Sequence, residues 1–221
     1  MRINQFIASN TGLSRRKADE LIKNGLVTVN DTTVKLGYIV NPLDDIVKLK
    51  GVAVKNNTKH LTILFNKPKG YVVSRNGQEN KTIYDILPKE YRNLKPVGRL
   101  DKDSSGLLIL SNDGNLIHKL SHPSNNKYKI YLVKLNKNLK TSDLKNINEN
   151  GVFLEDGISK FEVTPIEKDN LEFLKIKMFE GRNRQIRRTF EKLGYRVVDL
   201  HRIKFGEISL GTLRPGELKI L

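Results

Sequence analysis

The stretch from Val97 to Leu110 constrains this chain more than any other. A polar loop, Gly98-Arg99-Leu100-Asp101-Lys102-Asp103-Ser104-Ser105-Gly106, runs without a break into Leu107-Leu108-Ile109-Leu110. Four apolar residues bounded by the turn formers Asn112-Asp113-Gly114 read as a buried strand. The strand anchors the loop, and the loop carries two carboxylates, Asp101 and Asp103. Whether Asp101 is a nucleophile, a metal ligand or a turn residue decides what the protein does.

Metal chemistry fits poorly. Asp101-x-Asp103-x-Ser105-Gly106-x-Leu108 follows the opening of a helix-loop-helix calcium loop, but the twelfth position, which must supply a bidentate Glu, is Asn112. A magnesium nuclease would need more clustered acids. His118 and His122 have the one-turn spacing of a paired metal site, yet the chain has no Cys and no nearby acid to complete the ligand set. Asp101 is left as a catalytic carboxylate, an arginine partner or a turn former.

Charge narrows the choice. Forty Lys and Arg against twenty-four Asp and Glu give a net charge of +16, which attracts polyanions, with nucleic acid the leading class. A carboxylate in a basic, nucleic-acid-binding cleft repels phosphate, so it is paired, used, or both. An arginine partner would keep it ionised, as a nucleophile or general base requires. Arginines abound on the helix expected after Gly181, whose apolar face is Ile186, Phe190 and Leu193 and whose stop is Gly194. Arg182, Arg184, Arg187 and Arg188 crowd its first turns, where the helix dipole disfavours cations unless an anion pairs with them. The candidates are RNA phosphate and Asp101. A third element, Lys127 to Leu135, alternates so that Tyr131, Val133 and Leu135 share a strand face with Lys129. An aromatic flanked by cations is a stacking platform for a nucleobase.

Around these elements the chain divides in two. Residues 1–50 read as a compact α/β module: a helix with Ile3, Phe6 and Ile7, then a helix capped by Ser14 with Ala18, Leu21 and Ile22 inside, then a hairpin turning at Asn30-Asp31, then a strand to Leu49. Residues 51–60 lose periodicity and read as a linker. In residues 61–221, a strand from Leu61 stops at Lys67-Pro68-Lys69-Gly70 and resumes at Tyr71-Val72-Val73. A short helix ends at Pro88, and a second, with Leu116, Ile117 and Leu120, breaks at Pro123. Strands are expected at Tyr195–Val198 and Ile203–Phe205 and at the closing residues. No apolar run approaches the roughly 20 residues that span a bilayer, and Met1 to Gln5 turns polar too soon for a signal peptide, so a cytoplasmic protein without membrane partners is expected.

Two sets of residues carry resemblances. Gly12-Leu13-Ser14-Arg15-Arg16-Lys17-Ala18, followed by Ile22-x-x-Gly25-x-Val27-x-Val29-Asn30, resembles the small RNA-binding module named after ribosomal protein S-four. That resemblance implies that Arg15, Arg16 and Lys17 face RNA phosphate. Gly98-Arg99-Leu100-Asp101-x-Asp103-Ser104-x-Gly106-Leu107 is similar to the signature of the ribosomal RNA pseudouridine synthases of the RsuA type. Asn66-Lys67-Pro68-x-Gly70, Lys129-x-Tyr131 and Glu180-Gly181-Arg182-x-x-Gln185-Ile186-Arg187-Arg188 agree with it, in the family's order.

The second resemblance implies an α+β catalytic domain over residues 61–221, with a mixed, largely antiparallel sheet, flanking helices and a cleft across its middle. It implies isomerisation of uridine to pseudouridine in ribosomal RNA, with no cofactor and no metal. Asp101 matches the catalytic aspartate, Tyr131 the tyrosine stacked on the flipped uracil, Arg187 the ion-pair partner of the aspartate, and Ile186 an aliphatic contact to the base. Lys67, Arg99, Lys129, Arg182, Arg184 and Arg188 are the further expected RNA contacts. Large-subunit RNA is the preferred substrate, small-subunit RNA remains open, and a monomer is the default. Thr189 stands where the family usually has methionine, and Ile130 where a polar residue is common. A rival reading is a non-catalytic RNA-binding protein of ribosome assembly.

Overall fold

A computed structural model describes residues 1–56, 60–122 and 125–221. The chain separates into two compact units, Met1–Leu61 with Ser111–Asn115, and Thr62–Leu110 with Leu116–Leu221.

In the first unit, α1 (Ile3–Thr11) ends at Gly12, which takes the left-handed conformation, φ 75°. α2 (Arg15–Lys23) starts where the Ser14 hydroxyl accepts the Lys17 N–H at 3.1 Å. The helices bury Ile3, Phe6, Ile7, Ala18, Leu21 and Ile22 together with Val27, Val29 and Val47. Those valines come from a four-stranded sheet ordered β2-β1-β3-β4, formed by β1 (Val27–Val29), β2 (Thr32–Thr33), β3 (Val47–Leu49) and β4 (Val52–Ala53). Asn30-Asp31 turns with both φ positive, as a two-residue hairpin requires. Lys50-Gly51 repeats that geometry and returns the chain as β4 along β3. The sheet thus extends past residue 50 into the segment read as linker, because this second tight turn makes another strand possible. Residues 57–59 of that segment lie outside the described residues.

The second unit is built on a nine-stranded sheet in the order β11-β12-β8-β13-β7-β5-β15, with β6 and β14 at its side. Its strands are β5 (Thr62–Lys67), β6 (Lys95–Val97), β7 (Ser105–Ser111), β8 (Lys129–Leu135), β11 (Glu162–Glu167), β12 (Asn170–Met178), β13 (Val197–Phe205), β14 (Ile208–Ser209) and β15 (Leu218–Ile220). The β13/β7 pair is parallel, whereas β11/β12, β12/β8, β8/β13, β13/β14 and β15/β5 are antiparallel. This is the mixed, largely antiparallel α+β sheet. β7 buries Leu107, Leu108, Ile109 and Leu110 completely. On one side Leu107 and Ile109 join Leu64, Val97, Phe205 and Leu210, with Ile117 and Leu120 of α4 (Gly114–Ser121) packed against them.

Three expectations change. β13 is one strand of nine residues where two short ones were expected, because its polar centre, Asp199-x-His201-Arg202, is held between two neighbouring strands. Tyr71–Val73 makes only a single parallel bridge, Val72 to Thr82, since α3 (Ile83–Ile86) begins immediately afterwards and leaves no room for a ladder. Between Leu135 and Met178 the chain adds α5 (Thr141–Glu149), the hairpin of β9 (Val152–Leu154) and β10 (Gly157–Ser159), and the β11–β12 pair. The break expected at Pro123 lies outside the described residues. Among the described residues no helix is long and apolar enough to cross a membrane.

Candidate active site

The Asp101 loop connects β6 to β7 and is fastened at several points. Lys67, at the end of β5, is completely buried, and its ammonium donates to the carbonyls of Ser104 at 2.7 Å, Pro68 at 3.0 Å and Asp101 at 3.1 Å. The Gly70 N–H donates to the Lys102 carbonyl at 2.7 Å, so the Lys67-Pro68-x-Gly70 turn grips the loop from Asp101 to Ser104. Burial pulls the Lys67 amine down to about 8, with Asp101 and Asp103 opposing the shift and Arg202 adding to it. At the loop's exit Gly106 has φ 104°, and a Cβ there would lie 2.3 Å from the Arg202 carbonyl oxygen. Only glycine lets β7 approach β13 this closely.

The sheet register then sets out the cleft floor. Arg202, on the central strand β13, pairs with Tyr131 of β8 on one side and Gly106 of β7 on the other. Partners in one row project to the same face, so Tyr131 and Arg202 stand side by side next to the exit of the Asp101 loop. Both line a cleft of about 720 Å³ together with Asp101, Arg99, Lys129, Ile186 and Phe179. That volume suits a nucleoside-sized guest. Tyr131 and Ile186 are 8% and 4% exposed, which makes them walls rather than rim.

α6 (Gln185–Lys192) brings the arginines to this cleft, with a division of labour that the spacing alone does not give. Arg184 is the N-cap, in the left-handed conformation with φ 46°. Its Nη1 lies 3.7 Å from Asp101 Oδ2 and 3.1 Å from Asp103 Oδ1. Arg187, expected as the partner of Asp101, instead has Nε 3.2 Å from Asp103 Oδ2 and donates to the carbonyls of Asp103 at 3.1 Å and Val197 at 3.0 Å. One helical step further on, Arg187 points at the loop backbone and β13, whereas the left-handed cap turns Arg184 toward the carboxylates. Burial would raise the Asp103 carboxyl, but the Arg184 hydrogen bond and the Arg187 and Arg184 charges together hold it below the usual range.

Other expected RNA contacts are occupied within the protein. Lys67 is sealed in and cannot reach a phosphate. Arg182 donates to the carbonyls of Asp156, Gly157 and Ile158, and Arg188 pairs with the Asp156 carboxylate at 2.8 Å, so both brace the β9–β10 hairpin. The Lys129 amine, over the Phe205 ring, donates to the Glu180 carbonyl at 3.3 Å; burial and then Arg202 pull its pKa down, against Glu180. Arg99 is exposed on the cleft wall. In the first unit Arg15, Arg16 and Lys17 are exposed on the first turn of α2, with Arg15 donating to Asn4 and Lys17 paired to Glu20. Thr189 is fully buried and donates to Ser159 Oγ at 2.8 Å, closing a polar cluster with Gln185 that a methionine would not make.

Arg202, 2% exposed at the cleft floor, escapes sequence reasoning. The available signal is parity: it shares a strand face with Leu200, so a cation stands at an inward position.

The fold agrees with comparisons to known proteins. Residues 60–192 match the family model described as RNA pseudouridylate synthase, and residues 1–53 match the S4 domain. The chain belongs to the RNA pseudouridylate synthase family, with an S4 domain at its N-terminal side. Over all of its length it is 34% identical to ribosomal large subunit pseudouridine synthase B of Bacillus subtilis, covering 91% of that protein. It is also 34% identical over all of its length to ribosomal small subunit pseudouridine synthase A of Pasteurella multocida, covering 96%. A solved structure described as a pseudouridylate synthase has a TM-score of 0.71 at 29% identity, covering 100% of this chain and 96% of its own.

Proposed function

We propose that this chain isomerises uridine to pseudouridine in ribosomal RNA, in the cytoplasm, as a monomer without cofactor or metal, with Asp101 as the catalytic carboxylate. The observation that carries this reading is the meeting of Asp101, Tyr131 and Ile186 in one nucleoside-sized cleft, with Arg184 within ion-pair distance of Asp101. Residues 1–53 hold RNA through Arg15, Arg16 and Lys17, residues 54–60 tether them, and residues 61–221 carry out the chemistry. A base stacked in a helix is unreachable, so the uridine is flipped into the cleft at a cost of a few kcal/mol, recovered by stacking and phosphate contacts. Tyr131 stacks on the uracil and Ile186 packs its edge. Asp101 attacks the anomeric carbon of ribose or adds to the uracil ring, and the base is detached, rotated and rejoined through carbon. Arg187 serves this chemistry through Asp103 and the loop backbone, and Arg184 is the cation that faces Asp101.

The rival is an assembly protein that keeps the fold and binds RNA without turnover. Both readings expect binding that weakens steeply with salt. Unmodified transcripts of large- and small-subunit rRNA, incubated with the protein and mapped by chemical labelling, separate them. Asp101→Asn is expected to abolish the product while leaving RNA affinity within about threefold, since the carboxylate itself repels phosphate. The absence of new pseudouridine in either RNA with the wild-type protein would sink the enzyme reading. Large-subunit RNA is the first substrate to try.

A further inference from the structure

Arg202 is buried at the centre of the sheet, yet among the described residues no carboxylate lies within ion-pair distance of it. Its Nε donates to the Leu107 carbonyl at 2.8 Å, its guanidinium carbon lies 5.3 Å from the centroid of the Phe205 ring, and its Nη2 has no hydrogen-bond partner among the described residues. Two further cations adjoin it: the charge of Arg202 is felt by both Lys67 and Lys129, lowering their proton affinity. A buried charge left without an opposite charge or a full set of hydrogen bonds is destabilising, and replacing it with an apolar side chain of similar volume is often neutral or stabilising. Folding alone therefore gives little reason for arginine here. Its position does, because Arg202 shares its row with Tyr131 and lines the cleft.

We infer that the Arg202 guanidinium hydrogen-bonds a carbonyl oxygen of the flipped uracil and stabilises the negative charge that the base carries while it is detached from the ribose. The inference rests on the proposed isomerisation. On the route through the anomeric carbon, the Asp101 carboxylate bonds to that carbon as its bond to N1 breaks, and the electron pair stays on the base, spread over N1, O2 and O4. C5 then displaces the Asp101 carboxylate from the anomeric carbon, which returns the base to neutrality; the C5 proton leaves to a base and N1 takes up a proton. Between those events the uracil is an anion, and a fixed, water-excluded cation at the floor of the cleft stabilises it more than it stabilises neutral uridine. That difference accelerates the reaction.

The test uses the full-length protein and the rRNA segment that it modifies, carrying uridine, 2-thiouridine or 4-thiouridine at the target position. Arg202→Met is expected to lower the single-turnover rate by about 10²–10³-fold, as for loss of one oxyanion donor. Its RNA affinity should stay within threefold and its melting temperature should be unchanged or higher. Arg202→Lys should recover part of the rate. Sulfur accepts hydrogen bonds poorly, so one of the two thio substitutions should slow the wild type by a larger factor than it slows Arg202→Met. Equal factors for both thio substrates, or a variant that melts lower while keeping its rate, would overturn the inference and leave the isomerase reading intact. A wild-type protein that makes no pseudouridine would overturn both.

Discussion

Lys67→Met separates the structural role of this lysine from the RNA contact that its sequence position suggests. In the folded protein its ammonium satisfies the carbonyls of Pro68, Asp101 and Ser104. The Asp101 carbonyl also accepts the Ser104 N–H at 3.1 Å, so the variant leaves two carbonyls without that donor, at about 1–3 kcal/mol each. Against this, removing the buried charge returns the cost expressed by a pKa near 8 in place of 10.5, about 3 kcal/mol. The two effects nearly cancel, and urea unfolding at pH 7 should show a change between about −1 and +3 kcal/mol. Activity should not be spared, because a loop that shifts by about 1 Å can cost about 10²-fold. Single-turnover pseudouridine formation is expected to fall by that factor, with RNA affinity and its salt slope unchanged. A preserved rate with a salt slope smaller by about 0.7–0.9 would show that Lys67 neutralises a phosphate, and would refute the clamp.

The pH dependence of the same pair checks the burial independently. Below pH 8 the amine is charged in both the folded and the unfolded chain, and its burial cost is fully present. Between about pH 8 and pH 10.5 the unfolded chain holds a proton that the folded chain has released, so this group makes stability rise with pH. Wild type should therefore gain up to about 3 kcal/mol over Lys67→Met between pH 7 and pH 10.5; a flat difference would place the amine in water.

The two arginines should part company. Arg187→Ala removes contacts to Asp103, Ser104 and Val197 and should lower both stability, by about 2–4 kcal/mol, and rate. The half-exposed Arg184→Ala should slow the reaction about tenfold while moving stability by less than about 1 kcal/mol; the opposite pattern in melts and rates would refute the assignment. Gly106→Ala forces a Cβ onto the β13 backbone at positive φ and should cost about 2–6 kcal/mol in urea unfolding, whereas a loss below about 1 kcal/mol would mean that β7 can move away.

Much of the architecture is legible in local sequence because local forces make it. Ser14 and Gly12 punctuate helices wherever they fall, Asn30-Asp31 turns a hairpin, and Leu107 to Ile109 cannot be left in water. The β4 extension was less visible, since Lys50-Gly51 shows its turn only once β3 is there to pair with. The structure brings Asp101, Tyr131, Ile186 and several of the expected cations to one cleft, whereas the ion pairs among them differ from those expected and Arg202 was not foreseen. Arg184 and Arg187 are three positions apart in one arginine-rich run, and which of them faces Asp101 depends on a left-handed cap at the start of α6. Lys67 carries the same charge as any RNA-binding lysine until the loop closes over it.

Sequence by itself determined the family and many of the elements and singled out the Asp101 loop, because periodicity, turn chemistry and motif order are properties of neighbours along the chain. Tertiary structure alone decided which cations are sealed inside, which brace the β9–β10 hairpin and which pair with the carboxylates of the Asp101 loop. Burial and ion pairing are set by residues from distant strands: Arg202 lies between Tyr131 and Gly106 through a register that no local window contains.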